Sequence, residues 1–425
     1  MVDLRKLSGV ILSLVLCCDV GLGAESARYD NYRNYKVRAH SAEHVSVLKE
    51  LKESSDSFIF LEHGNKAGDE YEIVVAPHKL ADFTTTLESY GISYYKLQTN
   101  LQQLIDEERN RIQTKRASGA FGWIEYHELE EIYAWLDKLA SEYKQVEVIE
   151  GGRTFENRKI KGVKVSYKTG NPGIFLEAGI HAREWIAPAT ATYILNQLLT
   201  SNDTAVRNIA ENYDWYIFPS VNPDGYVYTH KRDRLWRKTR TRYAVGCFGA
   251  DPNRNWDFHW HEQGTSSWCY SDTYGGPRAF SEVETKTLSE YIQSLKGKLR
   301  TYISFHSYSQ LLLFPYGYTS EHASNYDDLN SIAKATVTSL ARRYGTQYTY
   351  GNVYDAIYPA SGASFEWVYG TLGVKLAYTY ELRPSSNSRN GFILPPSQII
   401  PTGEETLDSL VTLLEESAKK GYYGN

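Results

Sequence analysis

The stretch Gly173-Ile174-Phe175-Leu176-Glu177-Ala178-Gly179-Ile180-His181-Ala182-Arg183-Glu184, continued by Trp185–Thr200, decides the fold. Gly173–Glu177 is an apolar run of strand length, and Trp185–Thr200 is long and apolar enough for a buried helix. A buried strand feeding a buried helix through a short turn is the repeating unit of an α/β domain. The same alternation extends in both directions. Gln145–Ile149, Lys161–Ser166 and Asp214–Phe218 read as further strands, and Leu129–Lys144, Ser281–Lys298, Asn325–Tyr344 and Thr402–Lys419 as helices. From about residue 123 onward the expectation is a mixed, largely parallel sheet covered by helices on both faces.

The region before it has a different rhythm. Tyr35–His40 reads as a strand. Ser41–Ser54 reads as a helix capped by Ser41, with Val45, Leu48 and Leu51 on one face. Phe58–Leu61 and Tyr71–Val75 form a strand pair, Pro77–Tyr90 a second helix and Ile92–Leu97 a last strand. The order βαββαβ is that of a small ferredoxin-like α+β unit. Leu101–Thr114 follows as a charged helix, read either as a solvated linker or as the approach to a trypsin-type cleavage site after Arg111, Lys115 or, as favoured here, Arg116. The small residues of Ala117–Gly122 mark the boundary.

Residues 1–24 read as a secretory leader, with Arg5 and Lys6 ahead of the apolar run Leu7–Val20 and small residues at Gly21–Ala24. Cys17 and Cys18 lie within the leader. The remaining pair, Cys247 and Cys269, reads as a disulfide in a secreted chain, worth ~3 kcal/mol on a chain-entropy argument. Asn202-Asp203-Thr204 fits a glycosylation acceptor. No later run is long and apolar enough for a membrane span. The net charge of −5, from 46 Lys+Arg against 51 Asp+Glu, argues against a nucleic-acid partner.

Residues with chemistry sit at element ends. His181 and Glu184, three apart, can turn toward one cation; such a pair alone is common. His306 follows the apolar strand Leu299–Phe305, and strand ends of open α/β sheets are where ligand sites form. The competing pair His259 and His261 lies in a polar, loop-like stretch and reads as surface. His181, Glu184 and His306 together make a His₂Glu set with one open position, the arrangement of catalytic rather than structural zinc. Glu381 closes another apolar strand, Leu376–Tyr380, and is either a base or a structural carboxylate. Arg234, Arg237, Lys238 and Arg254, each close to a Trp, offer cations suited to carboxylate groups. No GxSxG elbow is present, which lowers a serine-hydrolase reading.

Taken together, these motifs resemble the zinc metallocarboxypeptidases of the procarboxypeptidase A/B group over nearly the whole chain beyond the leader. His₂Glu is the known ligand set of carboxypeptidase A, so it enters with the resemblance. The resemblance implies an eight-stranded type of α/β sheet, an activation segment 25–116 and a catalytic domain 117–425. It implies one Zn²⁺ held by His181, Glu184 and His306, with Asp251 orienting a ligating imidazole. Glu381 would be the general base, taking a proton from the attacking water and handing it to the leaving amine. Arg237 would steady the tetrahedral oxyanion. Asn253, Arg254 and Tyr358 would clamp the substrate's terminal carboxylate. Arg183, Tyr308 and Phe392 would form outer subsites, and Cys247–Cys269 matches the family's disulfide. One departure is the segment Pro384–Gly391, which lacks the usual opening Asp and is longer than in the family.

Specificity follows from the pocket positions. Phe365 stands where cutters of basic residues carry an acid, and Val353, Gly317 and Ala360 are also uncharged, although Glu366 is adjacent and Asp355 near. A Lys or Arg side chain there would lack a counter-ion. The expected protein is a secreted, digestive-type zymogen, monomeric, acting on peptide and protein C-termini to release aromatic or large aliphatic residues. Its partners would be an activating trypsin-like protease and proteinaceous carboxypeptidase inhibitors, with no nucleic acid and no membrane. The alternatives are an enzyme releasing Lys or Arg, and an inactive binder of peptide C-termini.

Overall fold

The computed structural model describes residues 26–62, 64, 66–98, 100–115 and 121–424. The leader with Cys17 and Cys18, and Arg116, lie outside the described residues.

The N-terminal unit consists of β1 (Arg33–Arg38), α1 (Ala42–Ser54), β2 (Phe58–Glu62), β3 (Glu70–Val75), α2 (Leu80–Ser89) and β4 (Ser93–Lys96). Its strands pair antiparallel in the order β2-β3-β1-β4, giving the expected βαββαβ unit. Ser41 caps α1, its Oγ accepting from His44 N at 3.1 Å. Val37, Leu48, Phe60, Ile73, Phe83 and Leu87 close a small core between sheet and helices.

α3 (Leu101–Lys115) departs from its reading as a solvated linker. Leu101, Ile105, Glu108 and Ile112 are buried, because this helix lies between the two units. Tyr29, Leu61, Val74, Leu101 and Ile105 on one side meet Leu235, Tyr308, Phe392 and Ile393 on the other. Inside this seam Arg234 Nε donates to Glu108 Oε2 at 2.5 Å, with both side chains 1% exposed. The other guanidinium nitrogens donate to the Arg183 and Phe392 carbonyls, and the group stacks on Trp185.

The larger unit runs α4 (Leu129–Glu142), β5 (Val146–Arg153), β6 (Lys159–Val165), β7 (Gly173–Ala178), α5 (Ile186–Thr200), α6 (Thr204–Asn212), β8 (Asp214–Phe218), α7 (Pro223–Lys231), β9 (Arg242–Ala244), β10 (Cys247–Phe248), α8 (Val283–Ser294), β11 (Leu299–Ser309), β12 (Leu311–Phe314), α9 (Tyr326–Tyr344), β13 (Thr349–Asn352), α10 (Val353–Ala356), α11 (Ser364–Leu372), β14 (Leu376–Ser385) and α12 (Ile399–Lys419). Eight strands form one sheet, β13-β12-β14-β11-β7-β8-β6-β5. Its centre, β14-β11-β7-β8, is parallel. Every residue of β7 and β8 is buried, as helices on both faces require.

The sheet is mixed, as expected, with its antiparallel pairs outside the centre and the edge pair β12–β13 parallel. β5, β6 and β8 pair antiparallel, as do β12 and β14. The short turn 154–158 joining β5 to β6 permits a hairpin, whereas a parallel crossover needs a dozen or more residues. Cys247 and Cys269 form a disulfide with Cα atoms 5.9 Å apart, beside the hairpin β9–β10. Asn202 is exposed just before the cap of α6. No helix among the described residues is long and apolar enough to cross a membrane.

Removing one partner of a dry ion pair leaves the other charge buried and unpaired. Glu108→Ala is therefore expected to destabilise the full chain by about 3–5 kcal/mol in denaturant unfolding. A change within the range of an exposed pair, about 1 kcal/mol or less, would show that the seam is wet.

Candidate metal centre and substrate cleft

Parallel pairing of β7, β11 and β14 brings distant residues together. β11 lies between the other two, with Phe305 level with Ala178 and His306 level with Glu381. Both strands run past the ends read from sequence, so His306 and Glu381 lie within strands rather than at their tips. Neighbouring residues at equal register point to the same face, which places Glu381 beside His306. His181 and Glu184 enter from the turn after β7. That turn is not helical; Glu184 N donates to the His181 carbonyl at 3.3 Å.

The donor atoms converge. His181 Nδ1 lies 2.7 Å from Glu184 Oε1 and 3.1 Å from His306 Nδ1, and His306 Nδ1 lies 3.2 Å from Glu184 Oε2. All three residues are buried. Two imidazole nitrogens and a carboxylate facing one point supply lone pairs with too few protons to share among them. A tetrahedral ion with bonds of about 2.0–2.1 Å has ligand–ligand edges of about 3.3 Å, close to these separations. The residues fit zinc, and among the described residues this is the one His/Cys/Asp/Glu cluster able to hold a metal.

The surrounding bonds fix the ligands. His181 Nε2 lies 3.1 Å from Asp251 Oδ1, which also accepts from Asn253 N at 2.9 Å. Asp251 Oδ2 accepts from Arg237 Nε and Nη2 at 3.1 and 2.9 Å. Burial opposes the Asp251 charge, but Arg237 and His181 outweigh it and hold the carboxyl well below its usual range. Burial and the Arg237 cation lower His181, keeping it neutral as a ligand must be. Burial raises Glu381 to about 8, with His306 pulling in the opposite direction. A bound cation would lower it further.

A cavity of about 410 Å³ opens on this cluster, lined by His181, Glu184, Arg237, Asn253, Arg254, Tyr308, Tyr358, Glu381 and Phe392. Arg254 Nη2 lies 3.5 Å from the Tyr358 hydroxyl, and Asn253 Oδ1 accepts from Ser364 N at 3.0 Å. Val353, Ala360, Phe365 and Glu366 form a further wall. Gly317, expected in the pocket, lies against this wall, where a Cβ would lie 2.8 Å from Val353 Cγ1 and 2.9 Å from the Ala360 carbonyl. Arg183 is buried under Phe392, with Nη1 held by Asp272 at 2.9 Å. Lys36, Leu61, Gly64, Asp69 and Glu70 of the N-terminal unit line the same cavity, and Glu72 accepts from the Tyr308 hydroxyl at 3.2 Å. His259 and His261 are elsewhere, bonded to Glu262 and Ser267.

Sequence reasoning passed over Glu177. Wholly buried, it accepts from Ser304 and Ser364 Oγ at 2.9 and 2.8 Å, tying the His306 strand to α11. The available signal was a charge inside the apolar run Gly173–Ala178.

The chain matches the zinc carboxypeptidase family over residues 132–409 and the carboxypeptidase activation peptide over residues 35–108. It is 64% identical over 401 residues to zinc carboxypeptidase A 1 of Anopheles gambiae, covering 94% of this chain and 93% of that protein. Its structure is similar to the carboxypeptidase A of Helicoverpa armigera, with a TM-score of 0.85 at 27% identity over 92% of this chain and 99% of that one. It is also similar to bovine thrombin-activatable fibrinolysis inhibitor in complex with tick carboxypeptidase inhibitor, with a TM-score of 0.66 at 35% identity over 70% of this chain and 99% of that one. The chain belongs to the zinc carboxypeptidase family and carries that family's activation peptide. It is a metallocarboxypeptidase with zinc as its cofactor.

His306→Ala is expected to bring zinc content from one ion per chain toward none, measured by elemental analysis. Asp251→Asn is expected to retain the ion but weaken it about 10–100-fold in chelator competition. Unchanged affinity in Asp251→Asn would show that the His181–Asp251 bond does not tune the site.

Proposed function

We propose that this carboxypeptidase is secreted as a zymogen and removes aromatic or large aliphatic residues from peptide C-termini. The leader is 1–24, the activation segment 25–116 and the enzyme 117–425, with release by a trypsin-like protease cutting at or near Arg116. The observation that carries the substrate reading is the pairing, in one cavity, of a carboxylate-matching guanidinium with an apolar wall. Arg254, Asn253 and Tyr358 stand at the clamp, and Val353, Ala360 and Phe365 at the wall. A guanidinium fork recognises a free terminal carboxylate, which explains why only a chain end is cut.

Zinc, when bound, supplies Lewis-acid polarisation of the scissile carbonyl and activation of water. The protein supplies the rest. Glu381 accepts a proton from the attacking water and delivers it to the leaving nitrogen. Arg237, fixed by Asp251, presents a cation to the developing oxyanion. Asp251 keeps His181 oriented. Tyr308 and Phe392 border the outer cleft, with Arg183 beneath Phe392, and the N-terminal unit's Leu61 and Glu72 now sit there, so substrate entry needs that unit displaced. The same cleft is the expected seat of a proteinaceous inhibitor.

After trypsin treatment, an N-blocked dipeptide ending in Phe is expected to be cleaved at pH 6.5 with kcat/KM at least tenfold above its Arg-ended counterpart. The reverse order would establish a basic-residue enzyme, and no turnover of either would favour a binder. Glu381→Gln should lower kcat about 10²–10⁴-fold while product-like peptides still bind; an unaffected kcat would remove Glu381 from the mechanism.

A further inference from the structure

The apolar wall carries one acid that the aromatic preference does not use. Glu366 is the third residue of α11, directly after Phe365, and is 1% exposed. Its Oε1 accepts from Gly317 N at 2.6 Å and Tyr318 N at 3.4 Å. Oε2 has no hydrogen-bond partner among the described residues, and the side chain belongs to the cavity lining. A carboxylate in the first turn of a helix, accepting backbone N–H groups, has support for its charged form. Burial works against that charge.

We infer that Glu366 is a second specificity residue of the pocket, accepting the ammonium or guanidinium of a C-terminal Lys or Arg through Oε2 when ionised and leaving the pocket apolar when protonated. The enzyme then takes aromatic and aliphatic ends at low pH and adds basic ends as pH rises. This rests on reading the cavity as the seat of the terminal side chain. Burial raises the Glu366 carboxyl to about 7, opposed by the two amides and by Arg254. The groups facing it are few. Arg254 comes from the turn after β10, and the Tyr316 and Tyr318 phenols from the segment after β12. Both phenols are pushed up by burial and stay neutral over the relevant range.

The sign follows. A carboxyl titrating near pH 7 is about one-tenth ionised at pH 6 and almost wholly ionised at pH 8.5. A Lys side chain stays charged throughout. Glu381 titrates too, but it serves every substrate alike, so its effect cancels in a ratio of two substrates.

The experiment measures kcat/KM of the trypsin-activated protein for N-blocked dipeptides ending in Lys and in Phe between pH 6 and 8.5. The Lys/Phe ratio is expected to rise about tenfold in the parent and to stay flat in Glu366→Gln, whatever the absolute rates. A flat ratio in the parent overturns the inference and needs no variant. An equal rise in Glu366→Gln overturns it as well, assigning the effect to another group. Absence of Phe cleavage at any pH would instead sink the proposed function.

Discussion

Three lone-pair donors meeting without enough protons to bridge them is the constraint on which the molecule is built. His181, Glu184 and His306 are buried within about 3 Å of one another, an arrangement that is costly unless a cation occupies the centre. The parallel centre of the sheet holds them there. β7 delivers the turn with His181 and Glu184, while β11 and β14 set His306 level with Glu381. Glu177 of β7 accepts from Ser304 of β11 and from Ser364 of α11, so the metal ligands and the pocket wall share one anchor.

Much of this was legible in the residues, for identifiable reasons. The N-terminal unit alternates cleanly between strand and helix periods, and Ser41 marks a helix start that the structure reproduces. The metal ligands follow the apolar runs Gly173–Glu177 and Leu299–Phe305, which read as strands, and the full ligand set entered with the family resemblance. Other features were hidden because they depend on partners remote in sequence. A run such as Leu101–Thr114 looks solvated until Arg234 is found opposite Glu108. Strand direction in β5 and β6 is set by loop length, which an apolar pattern alone does not express. Arg183, expected in an outer subsite, is buried under Phe392, a burial set by a residue far away along the chain.

The seam between the units is dense in charge and apolar contact alike. Lys36 pairs with Glu72 at 3.3 Å and donates to the Ser386 carbonyl, and Tyr308 is enclosed between Glu72 and Phe392. The N-terminal unit thus occupies the cleft with Lys36, Leu61, Asp69 and Glu70, which line the same cavity as Arg254. Its hold comes from the periphery, leaving the catalytic geometry assembled underneath.

The disulfide has a reach beyond its modest entropy. Asp251, Asn253 and Arg254 all fall inside the loop that Cys247 and Cys269 close, 22 positions apart, whereas the three metal ligands fall outside it. Opening that loop would free the arm that grips the anionic chain end before it disturbed the sheet that carries the ion. Reducing surroundings should therefore blunt the protein's ability to distinguish a terminus from an internal bond sooner than they strip its metal.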